Sequence, residues 1–303
     1  MHVEVHENFD VKNLTSFKIG GKIRKAYFPK SVCEFEEIIQ KEDNIRVFGN
    51  LSNTLVSSDG YDGSIIFTSG MRNSNCSPKD GDFTIECGCN GPVAALIARD
   101  EGLSGFEFMI GFPGSIGGNI CMNASAHGQC ISDNLIKVKC YSKEKGVFEL
   151  SKEDMEFSYR TSICQKEPIY VLEATFQLNK KTSEEIQDKM SENLAFRKSH
   201  QPSLAIPNCG SVFRNPEGNS AGKLLDEVGA KNFSVGNIRV WENHANFIVN
   251  PEQKGTSIEV LELMLKMFSS VKEKYGIELK PEVRYLGNKN IREAEICKIL
   301  NIK

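Results

Sequence analysis

A glycine-rich segment at residues 105–128 has the composition of a loop that binds a ligand through its backbone. It contains six glycines in 24 residues, together with Pro113 and Ser115. Glycine adopts positive φ without strain and lets another molecule approach the main chain, and proline fixes the start of a turn. The segment therefore predicts contact with a large planar or phosphate-bearing ligand, with a run of tight turns between strands as the alternative. The Gly-Xaa-Gly-Xaa-Xaa-Gly fingerprint of dinucleotide-binding folds is absent from it.

Composition and charge argue against several classes of protein. The 303 residues suffice for two or three domains, and a net charge of −3 gives no general attraction to nucleic acid or acidic membranes. The first residues are polar, and no stretch approaches the roughly 18 apolar residues of a membrane span, so we expect a cytoplasmic protein without a secretory signal. Ten cysteines are scattered without a Cys-Xaa-Xaa-Cys pair, which favours small buried side chains over a metal site.

Apolar periodicity predicts the elements that must position such a loop. Spacings of three and four residues predict helices at residues 34–40, 92–100, 183–198, 220–228 and 257–275. Alternation and short apolar runs predict strands at residues 44–48, 55–56, 64–68, 83–87, 135–141, 169–178, 245–249 and 282–286. The last strand is expected to close the fold, and residues 201–209 are predicted to form a loop. Helices and strands interleave without strict βαβ alternation, so the predicted class is α+β, with boundaries near residues 70 and 200.

Four groups of motifs together resemble one family. They are Asn-Leu-Thr-Ser-Phe-Lys-Ile-Gly-Gly at 13–21, Gly-Asn-Leu-Ser-Asn at 49–53, the glycine-rich segment followed by Tyr-Arg-Thr-Ser at 159–162, and a C-terminal group with Gly-Ser-Val-Phe-Arg-Asn-Pro at 210–216, His-Ala-Asn-Phe-Ile-Val-Asn at 244–250 and Gly-Ile-Glu-Leu-Lys-Pro-Glu-Val at 276–283. In this order and spacing the chain resembles the UDP-N-acetylenolpyruvoylglucosamine reductases, also called UDP-N-acetylmuramate dehydrogenases. The resemblance extends over residues 12–287.

The resemblance implies an FAD-binding fold of the vanillyl-alcohol-oxidase type. Two α+β subdomains are expected at residues 1–70 and 71–200, followed by a C-terminal α+β substrate-binding domain at 201–303. The family reduces an enolpyruvyl UDP-sugar to UDP-N-acetylmuramate for peptidoglycan synthesis, with FAD as cofactor and NADPH as co-substrate. Nothing is inserted between residue 160 and the strand predicted from 169, so the chain resembles the shorter family form. A UDP-sugar is the expected partner, and the oligomeric state stays open.

The family reaction implies roles for three residues. Hydride passes from NADPH to the flavin and then to the β-carbon of the enolpyruvyl group, so negative charge develops at the α-carbon and its carboxylate. By resemblance, Ser211 is the proton donor to the α-carbon. Arg160 holds the carboxylate through its planar guanidinium, and Glu282 orients the substrate or assists protonation. From local sequence alone, Ser211 could equally be a turn serine, Arg160 a member of a surface ion pair, and Glu282 a solvated residue at a strand end.

The resemblance also implies residues that bind the cofactor and the substrate. Two loops are expected to bind the pyrophosphate and adenosine of FAD, chiefly through backbone N–H groups; their residues are Gly49, Asn50, Leu51, Ser52, Asn53, Gly111, Pro113, Gly114, Ser115, Gly117 and Gly118. Asn123 is expected to fix the flavin side of the second loop, with an Asx-turn as the alternative. Asn215, Lys223 and His127 are expected to contact the substrate, although surface solvation explains Lys223 equally well. His244 is interpreted as a structural anchor rather than a general acid.

Some positions depart from the family pattern. Leu51 stands where the pyrophosphate loop usually has glycine, and leucine disfavours positive φ by about 1 kcal/mol and would crowd a phosphate. Ser125 replaces a second glycine, and His127 replaces an aromatic residue. Weaker FAD binding, a different path of the loop, or a paralogue that binds UDP-sugars without flavin would each explain these changes. Another flavin oxidoreductase of the same fold is a further alternative, against which Ser211, Arg160 and Glu282 together argue.

Overall fold

The computed structural model describes residues 3–77 and 79–302, without the side chain of Cys76. The α-helices are α1 (Val32–Lys41), α2 (Gly91–Asp100), α3 (Ile116–Cys121), α4 (Ser183–His200), α5 (Ala221–Glu227), α6 (Ser257–Tyr275) and α7 (Ile291–Leu300). The strands are β1 (Val5–Asp10), β2 (Lys22–Tyr27), β3 (Ile45–Phe48), β4 (Thr54–Val56), β5 (Tyr61–Phe67), β6 (Ser74–Ser77), β7 (Asp82–Glu86), β8 (Leu103–Ser104), β9 (Ser125–Ala126), β10 (Gln129–Cys130), β11 (Leu135–Ser142), β12 (Gly146–Ser151), β13 (Tyr170–Gln177), β14 (Asn179–Lys180), β15 (Asn208–Ser211), β16 (Ser234–Val235), β17 (Ile238–Trp241), β18 (His244–Val249) and β19 (Arg284–Leu286).

The α+β class predicted from the sequence is confirmed. The five predicted helices are α1, α2, α4, α5 and α6, and each predicted strand overlaps a strand of the structure. The strand predicted at 282–286 is shorter than expected and does not close the fold, because α7 follows it. The loop predicted at 201–209 ends early, since β15 begins at Asn208. The glycine-rich segment contains α3, which was not predicted because two of its six residues are glycine, a poor helix former.

The chain packs as two compact units, and the first comprises the described residues of 1–6, 26–50 and 64–197. Its main sheet is antiparallel, with the strand order β12–β11–β13–β7–β6. T-shaped ring contacts join Phe106 to Phe83 and to Phe176 in the core of this unit. Ile45–Phe48 of β3 pairs in parallel with residues 64–67 of β5, and the loop at residues 49–53 begins where β3 ends.

The second unit comprises the described residues of 7–25, 51–63 and 198–302. Its antiparallel sheet has the order β15–β18–β17–β16. α6 begins at a capping box formed by Thr256 and Glu259 and ends at Gly276, whose φ of +67° stops the helix in the left-handed conformation. β4 pairs in parallel with β19, so the chain that leaves the 49–53 loop lies beside the C-terminal motif.

The division into three domains stays a prediction. Among the described helices, none is long and apolar enough to cross a membrane. The cysteines whose side chains are described are all free thiols.

Candidate active site

The first predicted FAD loop, residues 49–53, connects β3 to β4. Leu51 has a φ of +50°, the left-handed conformation for which glycine is the usual residue, and only 3% of its surface is exposed. Asn50 Nδ2 donates a hydrogen bond to Asn90 Oδ1, at the N-terminus of α2. Within the described part of the chain, no acceptor bonds the backbone N–H groups of Asn50, Leu51 or Ser52. Consecutive free N–H groups form a nest that suits an anion such as a pyrophosphate.

The second predicted FAD loop, residues 111–118, contacts the start of the first. Gly49 lies so close to Ser115 that a Cβ on the glycine would overlap the serine Oγ. Ser115 Oγ caps α3 by accepting a hydrogen bond from Gly118 N at 3.2 Å, and Gly117 N donates to Cys87 O at 2.8 Å. The N–H groups of Gly117 and Gly118 are therefore bonded within the protein, and these glycines act here by permitting close packing.

Backbone and side-chain contacts also place the rest of the second loop. Gly114 O accepts a hydrogen bond from Gly91 N at 2.8 Å. A Cβ on Gly111 would lie 2.7 Å from Cδ of Arg197, so a larger residue there would force the arginine side chain to shift. Pro113 is exposed at the turn. This loop is consequently fixed against α2 and α4 before any ligand binds.

Asn123 follows α3 and has a φ of +41°. Its Nδ2 donates to Ser158 O at 3.1 Å, and its buried Oδ1 has no partner among the described residues. A buried acceptor without a donor is costly, so a donor from a ligand would stabilise it. The flavin ring carries one imide N–H, and FAD also carries a pyrophosphate. The unsatisfied Asn123 Oδ1 and the free N–H groups of the first loop thus fit FAD.

Arg160 lies at the tip of a tight turn. Ser158 and Thr161 exchange two backbone hydrogen bonds of 3.1 Å, and Arg160 is the third residue of this four-residue turn, with a φ of +57°. That conformation usually requires glycine or asparagine at this place. The guanidinium donates from Nη1 to Ser125 Oγ at 2.7 Å, and its Cζ lies 5.2 Å from the centre of the Tyr159 ring. The side chain is therefore oriented by protein groups.

Ser211 is the last residue of β15, and the chain after it is held from two sides. Val212 N donates to Asn246 O at 2.9 Å, and Val212 O accepts from Glu282 N at 2.8 Å. The Asn246 side chain exchanges two further hydrogen bonds with the backbone of Phe213, at 3.0 and 2.8 Å. The structure thereby brings Ser211 and Glu282 together within the second unit, whereas Arg160 belongs to the first unit. Among the described residues, none forms a hydrogen bond with Ser211 Oγ, so this half-buried hydroxyl is available to a ligand.

Glu282 is also connected to the first predicted FAD loop. Asn53 Nδ2 donates to Glu282 O at 3.0 Å, and Asn53 O accepts from Arg284 N at 3.0 Å. Burial raises the pKa of the Cys209 thiol well above its usual value, and the nearby Glu282 carboxylate adds to the rise. These contacts place a cofactor-loop residue and a negative charge close to the strand that carries Ser211.

The three residues expected to contact substrate lie in different local settings. Asn215 is exposed, and its Oδ1 accepts a hydrogen bond from Ala221 N at 3.0 Å, at the start of α5. Lys223 is an exposed residue of α5 whose Nζ lies 3.9 Å from a carboxylate oxygen of Glu227. His127 has a φ of +52° and an exposed ring that contacts Phe196 edge to face, and partial burial lowers its pKa. Asn215 and Lys223 therefore lie on one helix region of the second unit, and His127 lies in the first unit.

His244 has the contacts of a packed structural residue. Its Nδ1 accepts a hydrogen bond from Asn246 N at 3.2 Å, and a Cβ on Gly222 would lie 2.9 Å from its Cε1. Burial lowers the pKa of the imidazole. Sequence reasoning gave no role to Asn246, although it holds the chain beside Ser211; its place in the matched motif at 244–250 was the one available signal.

Comparison with known proteins defines first the class and then the family. Residues 25–151, which include both predicted FAD loops, match a family described as "FAD binding domain". Residues 201–286, which carry Ser211 and Glu282, match a family described as "UDP-N-acetylenolpyruvoylglucosamine reductase, C-terminal domain". An FAD-binding domain followed by the C-terminal domain of a reductase defines an FAD-dependent oxidoreductase, and this chain is an enzyme of that class.

Similarity over nearly the whole chain gives the family. A UDP-N-acetylenolpyruvoylglucosamine reductase of Caldicellulosiruptor saccharolyticus is 39% identical over 293 residues, which are 95% of this chain and 93% of the relative. The corresponding protein of Bacillus pumilus is 37% identical over 95% of each chain. The crystal structure of the reductase from Thermus caldophilus matches with a TM-score of 0.79 at 28% identity, over 94% of this chain and 99% of that one. The chain belongs to the UDP-N-acetylenolpyruvoylglucosamine reductase family, and it has the fold of that family, an FAD-binding domain followed by the reductase C-terminal domain.

Proposed function

We propose that this enzyme reduces an enolpyruvyl UDP-sugar to UDP-N-acetylmuramate with NADPH and bound FAD, as a step of peptidoglycan precursor synthesis. The observation that supports the chemistry best is the backbone hydrogen bond from Glu282 N to the carbonyl oxygen of Val212, the residue after Ser211. The Ser211 hydroxyl, which has no hydrogen-bond partner among the described residues, lies at the end of β15, and the residue that follows it bonds the backbone of Glu282. Proton donation to a carbon atom needs such an available donor in a fixed place.

The reaction adds a hydride to the β-carbon and a proton to the α-carbon of the enolpyruvyl group. Bound FAD supplies the hydride chemistry. In our proposal the Arg160 guanidinium binds the carboxylate and stabilises the charge that develops on it, because a planar fork of N–H donors matches a carboxylate. Ser211 Oγ donates the proton, and Glu282 orients the substrate or assists this transfer. A positioned acid of this kind contributes roughly 10²–10⁴-fold to the rate.

The two loops divide the binding of FAD. The free N–H groups of Asn50, Leu51 and Ser52 are assigned to the pyrophosphate, and Asn123 Oδ1 to the flavin ring. The remaining loop residues are assigned to shaping the two loops around the cofactor; they are Gly49, Asn53, Gly111, Pro113, Gly114, Ser115, Gly117 and Gly118. Asn215, Lys223 and His127 remain proposed substrate contacts.

We also propose a cytoplasmic location, with no nucleic-acid or membrane partner. The net charge of −3 provides no basic surface excess, and the nucleotide substrate and NADPH belong to that compartment. The division at residues 70 and 200 into two FAD-binding subdomains and a substrate domain is part of the same proposal.

Absorption spectra test the proposed function directly. Purified enzyme should show the flavin band, lose it on anaerobic addition of NADPH, and regain it on addition of the enolpyruvyl UDP-sugar. A spectrum without flavin, together with binding of the UDP-sugar, would favour the flavin-free paralogue. Bleaching without recovery by this substrate would favour another oxidoreductase of the same fold.

A further inference from the structure

The strongest unassigned feature is the set of contacts that holds the turn carrying Arg160. Three side chains attach this turn to the last residue of α3 and the segment that follows it. Asn123 Nδ2 donates to Ser158 O at 3.1 Å, and Ser125 Oγ accepts from Arg160 Nη1 at 2.7 Å. Gln165 Nε2 donates both to Arg160 O at 3.0 Å and to Cys121 O at 2.6 Å. The left-handed backbone of Arg160 and its guanidinium are thus both held by this segment.

Ser125 differs from the other two supports because it touches the charged group itself. It lies in the short antiparallel hairpin formed by β9 and β10, where it faces Cys130. The half-buried Ser125 hydroxyl accepts this hydrogen bond through an oxygen lone pair, and the guanidinium has only donors to offer. The hydrogen bond depends on the Ser125 side chain, because glycine or alanine at this position would offer no acceptor.

We propose that Ser125 is a positioning residue that orients the Arg160 guanidinium toward the carboxylate of the substrate. This inference rests on the role of Arg160 in the proposed function. An arginine side chain has several rotatable bonds, and binding a carboxylate restricts them at an entropic cost. A hydrogen bond at one terminal nitrogen reduces the number of orientations before the substrate arrives. The hydrogen bond to Ser125 therefore restricts the orientation of a long side chain whose backbone lies in a strained turn.

Binding of two ligands to the FAD-loaded enzyme separates positioning from general structural damage. UDP-N-acetylmuramate carries a carboxylate, and UDP-N-acetylglucosamine lacks it. In calorimetric titrations, Ser125→Ala should weaken binding of UDP-N-acetylmuramate about tenfold and leave binding of UDP-N-acetylglucosamine within about twofold of the wild type. Ser125→Thr, which keeps a hydroxyl, should restore most of the lost affinity. Ser191→Ala, which removes an exposed serine hydroxyl from α4, should change neither affinity. Equal weakening of both ligands by Ser125→Ala would overturn the proposal.

A double-mutant cycle with Arg160→Lys tests whether Ser125 acts through Arg160. In the lysine background, Ser125→Ala should cause no further loss of UDP-N-acetylmuramate binding, because the guanidinium is already gone. The same loss in both backgrounds would refute the inference. If Arg160→Lys alone binds UDP-N-acetylmuramate as tightly as the wild type, the proposed role of Arg160 fails and the inference fails with it. If Arg160→Lys weakens binding and Ser125→Ala does not, the inference alone fails.

Discussion

Leu51 tests the left-handed conformation of the first predicted FAD loop. Its backbone favours glycine, whereas the packing of its side chain favours leucine. Its φ of +50° suits glycine, whereas its side chain, with 3% of its surface exposed, contributes to packing. Truncation of a buried leucine to alanine costs about 2–5 kcal/mol. An L-residue in the left-handed region costs roughly 1–2 kcal/mol, which glycine does not pay. We therefore expect both Leu51→Ala and Leu51→Gly to lower the free energy of unfolding, with glycine the more stable of the two by about 1 kcal/mol.

Urea unfolding at a fixed FAD concentration measures this difference, with Leu55→Ala in the adjacent strand as a control for loss of a buried leucine at ordinary backbone geometry. At an ordinary helix or strand position a glycine variant is less stable than an alanine variant by roughly 0.5–1 kcal/mol. The sign of the difference between the two Leu51 variants therefore shows whether the backbone is left-handed. The buried side chain does not project into open space, so Leu51→Gly should not tighten FAD binding by removing a clash. An alanine variant more stable than the glycine variant would refute the left-handed conformation. Tighter FAD binding by Leu51→Gly would show that the leucine does crowd the pyrophosphate.

Four other positions test the remaining assignments. Gly49→Ala should weaken FAD binding at least about tenfold in a fluorescence titration of apoprotein, since its methyl group overlaps Ser115 Oγ; unchanged affinity would remove this contact from the site. Arg160→Lys should slow reoxidation by the enolpyruvyl UDP-sugar more than reduction by NADPH in stopped-flow traces, because lysine lacks the planar fork, and equal slowing would place Arg160 at the flavin. Ser211→Ala should leave flavin reduction normal and slow single-turnover reoxidation by roughly 10³-fold, with partial recovery in Ser211→Cys; a normal rate would reduce Ser211 to a turn residue. Glu293→Ala should lower the free energy of unfolding by about 3–5 kcal/mol in urea titrations and Glu293→Gln by less, because the buried carboxylate accepts hydrogen bonds from three hydroxyls; equal losses would contradict this.

The sequence predicted five helices from their apolar spacing; besides the glycine-containing α3 it missed α7, whose buried face contains a charge. In α7 the buried positions are Glu293, Ile296, Cys297 and Leu300, which follow helical spacing. The glutamate breaks the apolar pattern at its first position. Its burial becomes intelligible only in three dimensions, where Ser57, Ser257 and Tyr285 donate hydrogen bonds to it. These hydroxyls lie 8, 36 and 236 positions from Glu293 and in different elements, so they produce no periodic signal in the sequence.

In the candidate site, too, hydrogen bonds between distant residues could not be predicted from the sequence. Motifs predicted two FAD loops and the segment around Ser211, because residue types and order are visible in a sequence, and these assignments stay predictions. The bond from Asn53 to Glu282 joins residues 229 positions apart, and it depends on the parallel pairing of β4 with β19. The hydrogen bond from Arg160 to Ser125 could not be predicted from the sequence either. The sequence indicated only that Ser125 departs from the family pattern. Long-range partners of this kind are set by tertiary packing.

Several residues of the proposed site hold left-handed backbone conformations without being glycine. Leu51, Asn123, His127 and Arg160 all have positive φ, and such residues cost of order 1–3 kcal/mol each unless the surroundings hold them. Leu51 is held by burial, and Asn123 and Arg160 are held by hydrogen bonds to each other's segments. A residue with positive φ directs its side chain differently from a residue in a regular strand. The stability of the surrounding cores therefore maintains the geometry of the site, and substitutions in supporting residues such as Asn246 should alter the reaction without touching the substrate.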